Sequence, residues 1–252
     1  MNYTRFPAGL AMVFLLAYAP AFGKVTLVAA VATNAGAAFE EMAVVFERSS
    51  GVKVSLSAGA TGLLARQLRE GAPFDVFVSA DMGTVETLAR ESLLTSSSVQ
   101  SYARGTLCLW RAPEAGRRRQ TIDDLVTSKA DRLRIAIANP ETAPFGAAAK
   151  QALQRLGVWD RLLPRIIIAE NVTAAMNMAR TGNVDAALVA LSAVGDASEG
   201  AVVVPPALYA PIVQGMAVTY ATRHRAEATA FCHFVRGAQG RAILLKYRFE
   251  VP

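Results

Sequence analysis

The sequence predicts an α/β fold divided into two lobes, and three observations lead to it. Short apolar runs alternate with helix-period segments along most of the chain, the pattern of parallel sheets with helices on both faces. There are too many such runs for one compact sheet of this kind, whereas 252 residues at 53% hydrophobic content suffice for one or two cores. The turns from strand to helix repeatedly place a hydroxyl, an amide or a glycine at a helix mouth, where free backbone N–H groups also point.

The stretch that organises the chain is 25–51, VTLVAAVATNAGAAFEEMAVVFERSSG. It reads as a strand over 25–30, a tight turn at Ala32-Thr33-Asn34 and an amphipathic helix. Phe39, Met42, Ala43 and Phe46 form the buried stripe of that helix, and Gly51 is its left-handed cap. Val54 and Leu56 alternate with polar neighbours as a second strand. Gly59-Ala60-Thr61-Gly62 then opens a helix over 63–70 that ends at Gly71. A strand over 74–79 follows, and Asp81 is suited to cap the helix over 82–91.

Beyond a polar stretch over 95–101, a strand is expected over 105–110. Thr121 with Asp124 has the form of a capping box. The strand over 133–138 runs into Asn139-Pro140 and Ala143-Pro144-Phe145-Gly146, where two prolines stiffen the turn before a helix over 147–156 closed by Gly157. A strand over 165–169, the turn Glu170-Asn171-Val172 and a helix over 173–180 repeat the unit once more. Strands over 184–191, 201–204 and 211–220 and helices over 226–236 and 238–245 complete the chain. The division this implies is one lobe from 24–104 plus 212–252 and a second from 105–211, joined by a hinge, each a mostly parallel sheet flanked by helices.

The first residues have the form of an export signal. Arg5 supplies the charge, 9–17 the apolar core, and Ala19, Ala21 and Gly23 the small residues for cleavage, so 1–23 would be removed and Lys24 would begin the mature chain. The apolar core falls short of the roughly 20 residues of a membrane span. No cysteine stands near the cleavage point to carry a lipid. Cys108 lies in an apolar strand and Cys232 in an apolar helix stripe, and both read as small core residues rather than as a bridge or a metal site.

The net charge of +6 is modest, and part of it is the run Arg117-Arg118-Arg119 in a polar loop. Basic residues interleaved with aromatics on one face, as nucleic-acid binding requires, do not occur. Enzyme classes find little support. GxSxG, P-loop, GxGxxG and HExxH patterns are missing, and His224 and His233 fall far along the chain from the turns. Asp75, Asp81 and Asp185 read as strand-end and cap residues. What remains is a set of four uncharged helix mouths, at Thr33-Asn34, Ala60-Thr61, Phe145-Gly146 and Asn171-Val172. A helix N-terminus binds small anions through N–H groups and the positive end of its dipole, without a charged side chain. Glu170, the acid beside the fourth turn, should therefore face solvent or cap its helix.

Taken together, these turns and the segments between them resemble the periplasmic molybdate-binding component of ABC transporters. Ala32-Thr33-Asn34, Gly59-Ala60-Thr61-Gly62, the segment GAPFDVFVSAD over 71–81, Ala143-Pro144-Phe145-Gly146, Glu170-Asn171-Val172 and Pro211-Ile212-Val213 carry the resemblance, which spans nearly the whole mature chain. It implies the two-lobed, type II-like periplasmic binding-protein fold, closing on molybdate or tungstate, and delivery of the anion to an ABC permease. It implies oxyanion contacts from Thr33, Asn34, Thr61, Phe145 and Val172, with no direct metal ligation and no cofactor. Phe145 and Val172 would act through backbone N–H groups. Val31 stands where many members have serine, and Ala190 where some have tyrosine, which places the chain with the branch that uses a Thr-Asn pair. A monomer in the periplasm is expected. The other readings are a carrier of sulfate or phosphate, an exported anion sensor, or an exported enzyme.

Overall fold

The computed structural model describes residues 25–112, 121–127 and 132–251. The expected export signal and the arginine run at 117–119 lie outside the described residues.

From the start of the described chain, β1 (Thr26–Ala32) leads through a 3-10 turn (Thr33–Ala35) into α1 (Gly36–Ser50), which Gly51 terminates at φ +74°. β2 (Lys53–Gly59), α2 (Thr61–Arg69), β3 (Val76–Ser79) and α3 (Met82–Arg90) follow. The Asp81 side chain caps α3 by accepting from the Thr84 N–H. Next come β4 (Gln100–Gly105), β5 (Leu107–Trp110), β6 (Ile135–Ala138) and α4 (Pro144–Arg155). The short α5 (Trp159–Leu162), β7 (Ile166–Ala169), α6 (Val172–Arg180), β8 (Ala186–Ala190) and β9 (Ala201–Val203) complete that region. The chain closes with β10 (Ile212–Val218), α7 (Arg225–Arg236) and α8 (Ala238–Lys246).

These strands form two five-stranded sheets, in the orders β2-β1-β3-β10-β4 and β7-β6-β8-β5-β9. In each, three neighbouring strands are parallel. The fourth strand in spatial order runs antiparallel to both of its neighbours. The expected parallel sheet is thus a three-stranded parallel core in each lobe, extended by strands that carry the chain between lobes.

Alternation decides the layering. Leu27, Ala29 and Val31 of β1 enter a core with Phe39, Met42 and Phe46 of α1 and with residues of α7 and α8, while Ala30 joins α2 and α3 on the opposite face. Phe39 is fully buried, edge-on to Tyr102 and Phe231 at 5.5 and 6.2 Å between ring centroids. The second sheet has its own core with α4, α5 and α6. Cys108 lies in that core and Cys232 in the first lobe's, both buried.

The single strand expected over 105–110 is two strands in two sheets. β4 ends at Gly105 in the first and β5 begins at Leu107 in the second, so one residue, Thr106, separates the lobes there. The sequence QSYARG of β4 lacks the apolar content of a strand. Its pairing with β10, far along the chain, provides what local propensity does not. The helix expected from 147 begins at Pro144, whose missing N–H and fixed φ suit the first helical position. The capping box of Thr121 and Asp124 is present.

Candidate functional site

Strand-to-helix turns from both sheets face one another across the gap between the lobes. Thr33 and Asn34 form the turn after β1, Thr61 is the first residue of α2, Phe145 the second of α4 and Val172 the first of α6. All five line a single cavity of about 200 Å³, counted together with the solvent it opens to. The remaining lining residues are alanines, Gly59, Pro144 and Asn171, so among the described residues no titratable side chain borders it. Glu170, next to the fourth turn, is exposed to solvent.

The helix caps explain why these mouths can act as donors. The N-cap residues of α2 and α4 are Ala60 and Ala143, and α1 and the 3-10 turn before it start at Ala35 and Ala32. None of these has a side-chain oxygen with which to satisfy the first-turn N–H groups, which a Ser, Thr, Asp or Asn cap would do. Away from the cavity, α3 has its Asp81 cap. At α6 the Asn171 carboxamide oxygen takes the Ala174 N–H at 3.0 Å, deeper in the first turn than Val172. Pro144 has no N–H, which makes Phe145 the first donor of α4.

Two polar side chains are fixed by their neighbours. The Thr61 hydroxyl oxygen accepts the Ala80 N–H at 3.1 Å, and its own proton remains to be donated. Asn34 is buried, and its carboxamide Nδ2 donates to Gln214 Oε1 at 2.9 Å. Asn34 lines the cavity at the helix mouth, with one of its two amide hydrogens turned to Gln214.

The lobes are in contact around the cavity. The Gly62 N–H donates to the Thr142 carbonyl at 2.8 Å. The Ser192 hydroxyl donates to the Asn34 carbonyl at 2.9 Å, and the Thr173 hydroxyl makes a longer contact, 3.5 Å, with the Thr33 carbonyl. A side chain at Gly62 would press on Thr142, its Cβ lying 3.0 Å from the Thr142 Cα. The Phe145 ring lies over Gly105, where an added Cβ would fall 2.5 Å from ring atom Cζ. Sequence reasoning missed Ser192, Gln214 and Gly105. The signal for Gln214 was present, a long polar side chain within the apolar strand IVQGMAV.

Two larger grooves lie outside this cavity. One of about 770 Å³ adjoins it beyond Thr61 and is bordered by Asp81 and Glu141. Another of about 1290 Å³ sits at the far pole of the first lobe, lined by Thr26, Phe74, Tyr220 and His224. Neither gathers the four turns. His233 is exposed on α7, so neither histidine reaches the cavity. Among the described residues no group of three or more His, Cys, Asp or Glu side chains is placed to hold a metal ion.

Comparison with known proteins agrees with this architecture. The family model for bacterial extracellular solute-binding proteins matches residues 27–250. The chain is 34% identical over 255 residues to the molybdate-binding protein ModA of Rhodobacter capsulatus, covering 98% of each. It is 34% identical over 226 residues to the protein of the same name from Azotobacter vinelandii, covering 87% of this chain and 88% of the relative. The solved structure of the Azotobacter vinelandii periplasmic molybdate-binding protein superposes with a TM-score of 0.84 at 31% identity, covering 90% of this chain and 99% of that one.

Proposed function

Since the chain belongs to the family of bacterial extracellular solute-binding proteins and, within it, to the molybdate-binding proteins, we propose that it captures molybdate between its lobes and delivers it to an ABC permease. The observation that carries this reading is the convergence of Thr33, Asn34, Thr61, Phe145 and Val172, from four helix starts in two lobes, on one cavity that, among the described residues, has no charged lining side chain. A dianion held there keeps its charge and is stabilised by oriented N–H and O–H dipoles. Hydrogen bonds to a charged group contribute about 1.5–3 kcal/mol each. Roughly five of them, less the costs of desolvation and ordering, reach micromolar affinity or better.

In this reading the first lobe is 24–104 with 212–252, the second is 105–211, and they close about Thr106 and the segment before β10. Tungstate, of the same shape and charge, is a second ligand. Selection against sulfate follows from geometry, because donors fixed on two lobes cannot all reach a smaller tetrahedron. The protein acts as an exported monomer, by binding and not by catalysis.

Isothermal titration with molybdate, tungstate, sulfate and phosphate tests the proposal. Saturable binding of molybdate at one site, with sulfate and phosphate at least a hundredfold weaker, is the expected result. Tight sulfate or phosphate binding without molybdate binding would overturn it in favour of a carrier for another oxyanion.

A further inference from the structure

Gln214 stands where the binding cavity meets the strands that join the lobes. It is the third residue of β10, fully buried, and pairs with Ala103 of β4 beside an irregularity in the ladder at Gly215. Its carboxamide oxygen receives two donors, Asn34 Nδ2 at 2.9 Å and the Tyr102 hydroxyl at 2.7 Å. The Tyr102 hydroxyl also lies 3.4 Å from the Ser79 carbonyl. With its oxygen on these two donors, the Gln214 amino group points away from both. Nε2 has no hydrogen-bond partner among the described residues and is shut off from solvent. It faces Gly105, at the end of β4, and the Phe145 ring from the other lobe. A Cβ built on Gly105 would lie 2.7 Å from Nε2 and 2.5 Å from Phe145 Cζ, so both groups converge on that point.

We propose that Gln214 is a positioning residue that makes closure self-limiting. Its oxygen aims Asn34 into the cavity wall, while its amino group is left unmatched only when Phe145 swings over Gly105. Opening withdraws Phe145 with the second lobe and lets water reach Nε2. The closed form therefore carries a buried donor without an acceptor, a cost the open form escapes. Bound anion offsets that cost, and in its absence the cost favours opening, so that captured anion can be released. The proposal rests on the capture reading above, since it assigns to Gln214 the tuning of that same closure.

The first test removes the cover. Phe145→Leu takes away the ring atom that lies over Gly105 and keeps the backbone N–H of residue 145, so water can reach Nε2 in the closed form. Release of molybdate, followed by rapid dilution, should then slow by about threefold, although the lost packing alone would speed it. Release as fast as from the parent, or faster, would overturn the proposal. The parent protein itself provides the second measurement, which does not depend on how the variant folds. With 15N-labelled glutamine, the Gln214 side-chain amide should exchange with water in the anion-free protein and be protected, with a ring-current shift, in molybdate. Equal exchange in both states would also overturn it. If the parent binds no molybdate in the calorimeter, the capture reading fails instead, so the two failures are distinguishable.

Discussion

The hydroxyl of Ser192, in the turn after β8, donates to the backbone carbonyl of Asn34, in the turn after β1, at 2.9 Å. This bond crosses from one lobe to the other and fixes the peptide whose neighbours face the cavity. Ser192 does not line the cavity, so its effect on binding is indirect. Ser192→Ala should leave the anion-free protein as stable as before and weaken molybdate binding by about threefold to tenfold, the ~0.5–1.5 kcal/mol of one such bond. Calorimetric titration of the variant checks this.

Thr61 contributes differently, through a hydroxyl held by the Ala80 N–H with its proton available. Thr61→Ala removes that donor and should weaken molybdate binding tenfold or more, ~1.4 kcal/mol. Thr61→Ser keeps the donor and should restore most of the affinity. An unchanged affinity in the alanine variant would mean that the hydroxyl only packs against β3.

Gly105 is where the ring of Phe145 comes to rest. A methyl group there would sit 2.5 Å from Phe145 Cζ and 2.7 Å from Gln214 Nε2. Overpacking of this kind costs about 1–3 kcal/mol where it is felt. Gly105→Ala should therefore weaken molybdate binding tenfold or more, with a smaller change in the unfolding midpoint without anion. Small-angle scattering should find the variant more extended than the parent in saturating molybdate.

Among the described residues, none that lines the cavity carries a titratable side chain. Molybdate affinity should accordingly be flat with pH across the range in which the anion keeps its charge, when measured by titration at constant ionic strength. A bell-shaped or stepped profile would point to a charged side chain in the site.

Burial pushes the Cys108 and Cys232 thiols up to about 12. Thiolate is the reactive form, so neither should react with a disulfide reagent at pH 8 until the protein is unfolded, when both should. The sign for stability follows from the same shift. A thiol whose folded value is raised contributes fully below its ordinary value of 9.0, and the contribution fades as pH climbs toward about 12. Chemical denaturation at pH 8 and pH 10.5 should find the protein less stable at the higher pH.

How much of this was legible beforehand depended on whether the signal was local. The four turns could be read because the residues that make the mouths, Thr33, Asn34, Thr61, Phe145 and Val172, sit directly between a strand and a helix. The alanine caps at Ala60 and Ala143 were equally local, and point to ligand binding because they offer no side-chain oxygen to the helix start. β4 could not be read, since QSYARG becomes a strand through residues more than a hundred positions away. The orientation of the Asn34 carboxamide was hidden for the same reason. Its partner Gln214 is 180 residues distant and meets it only when β10 returns to the first sheet. The ring of Phe145 has a neighbour of its own, Gly105, which a proposed contact through the backbone N–H alone gave no reason to expect.

The strand order of the first sheet bears on how the protein is made. β10 lies between β3 and β4, so β4 has no neighbouring strand until residues 212–218 arrive. A growing chain cannot finish its first lobe before nearly the whole sequence has emerged, and contacts between such distant segments form slowly. The polypeptide is thereby kept from maturing early, the condition under which a chain can be threaded through a translocation pore and assembled on the other side.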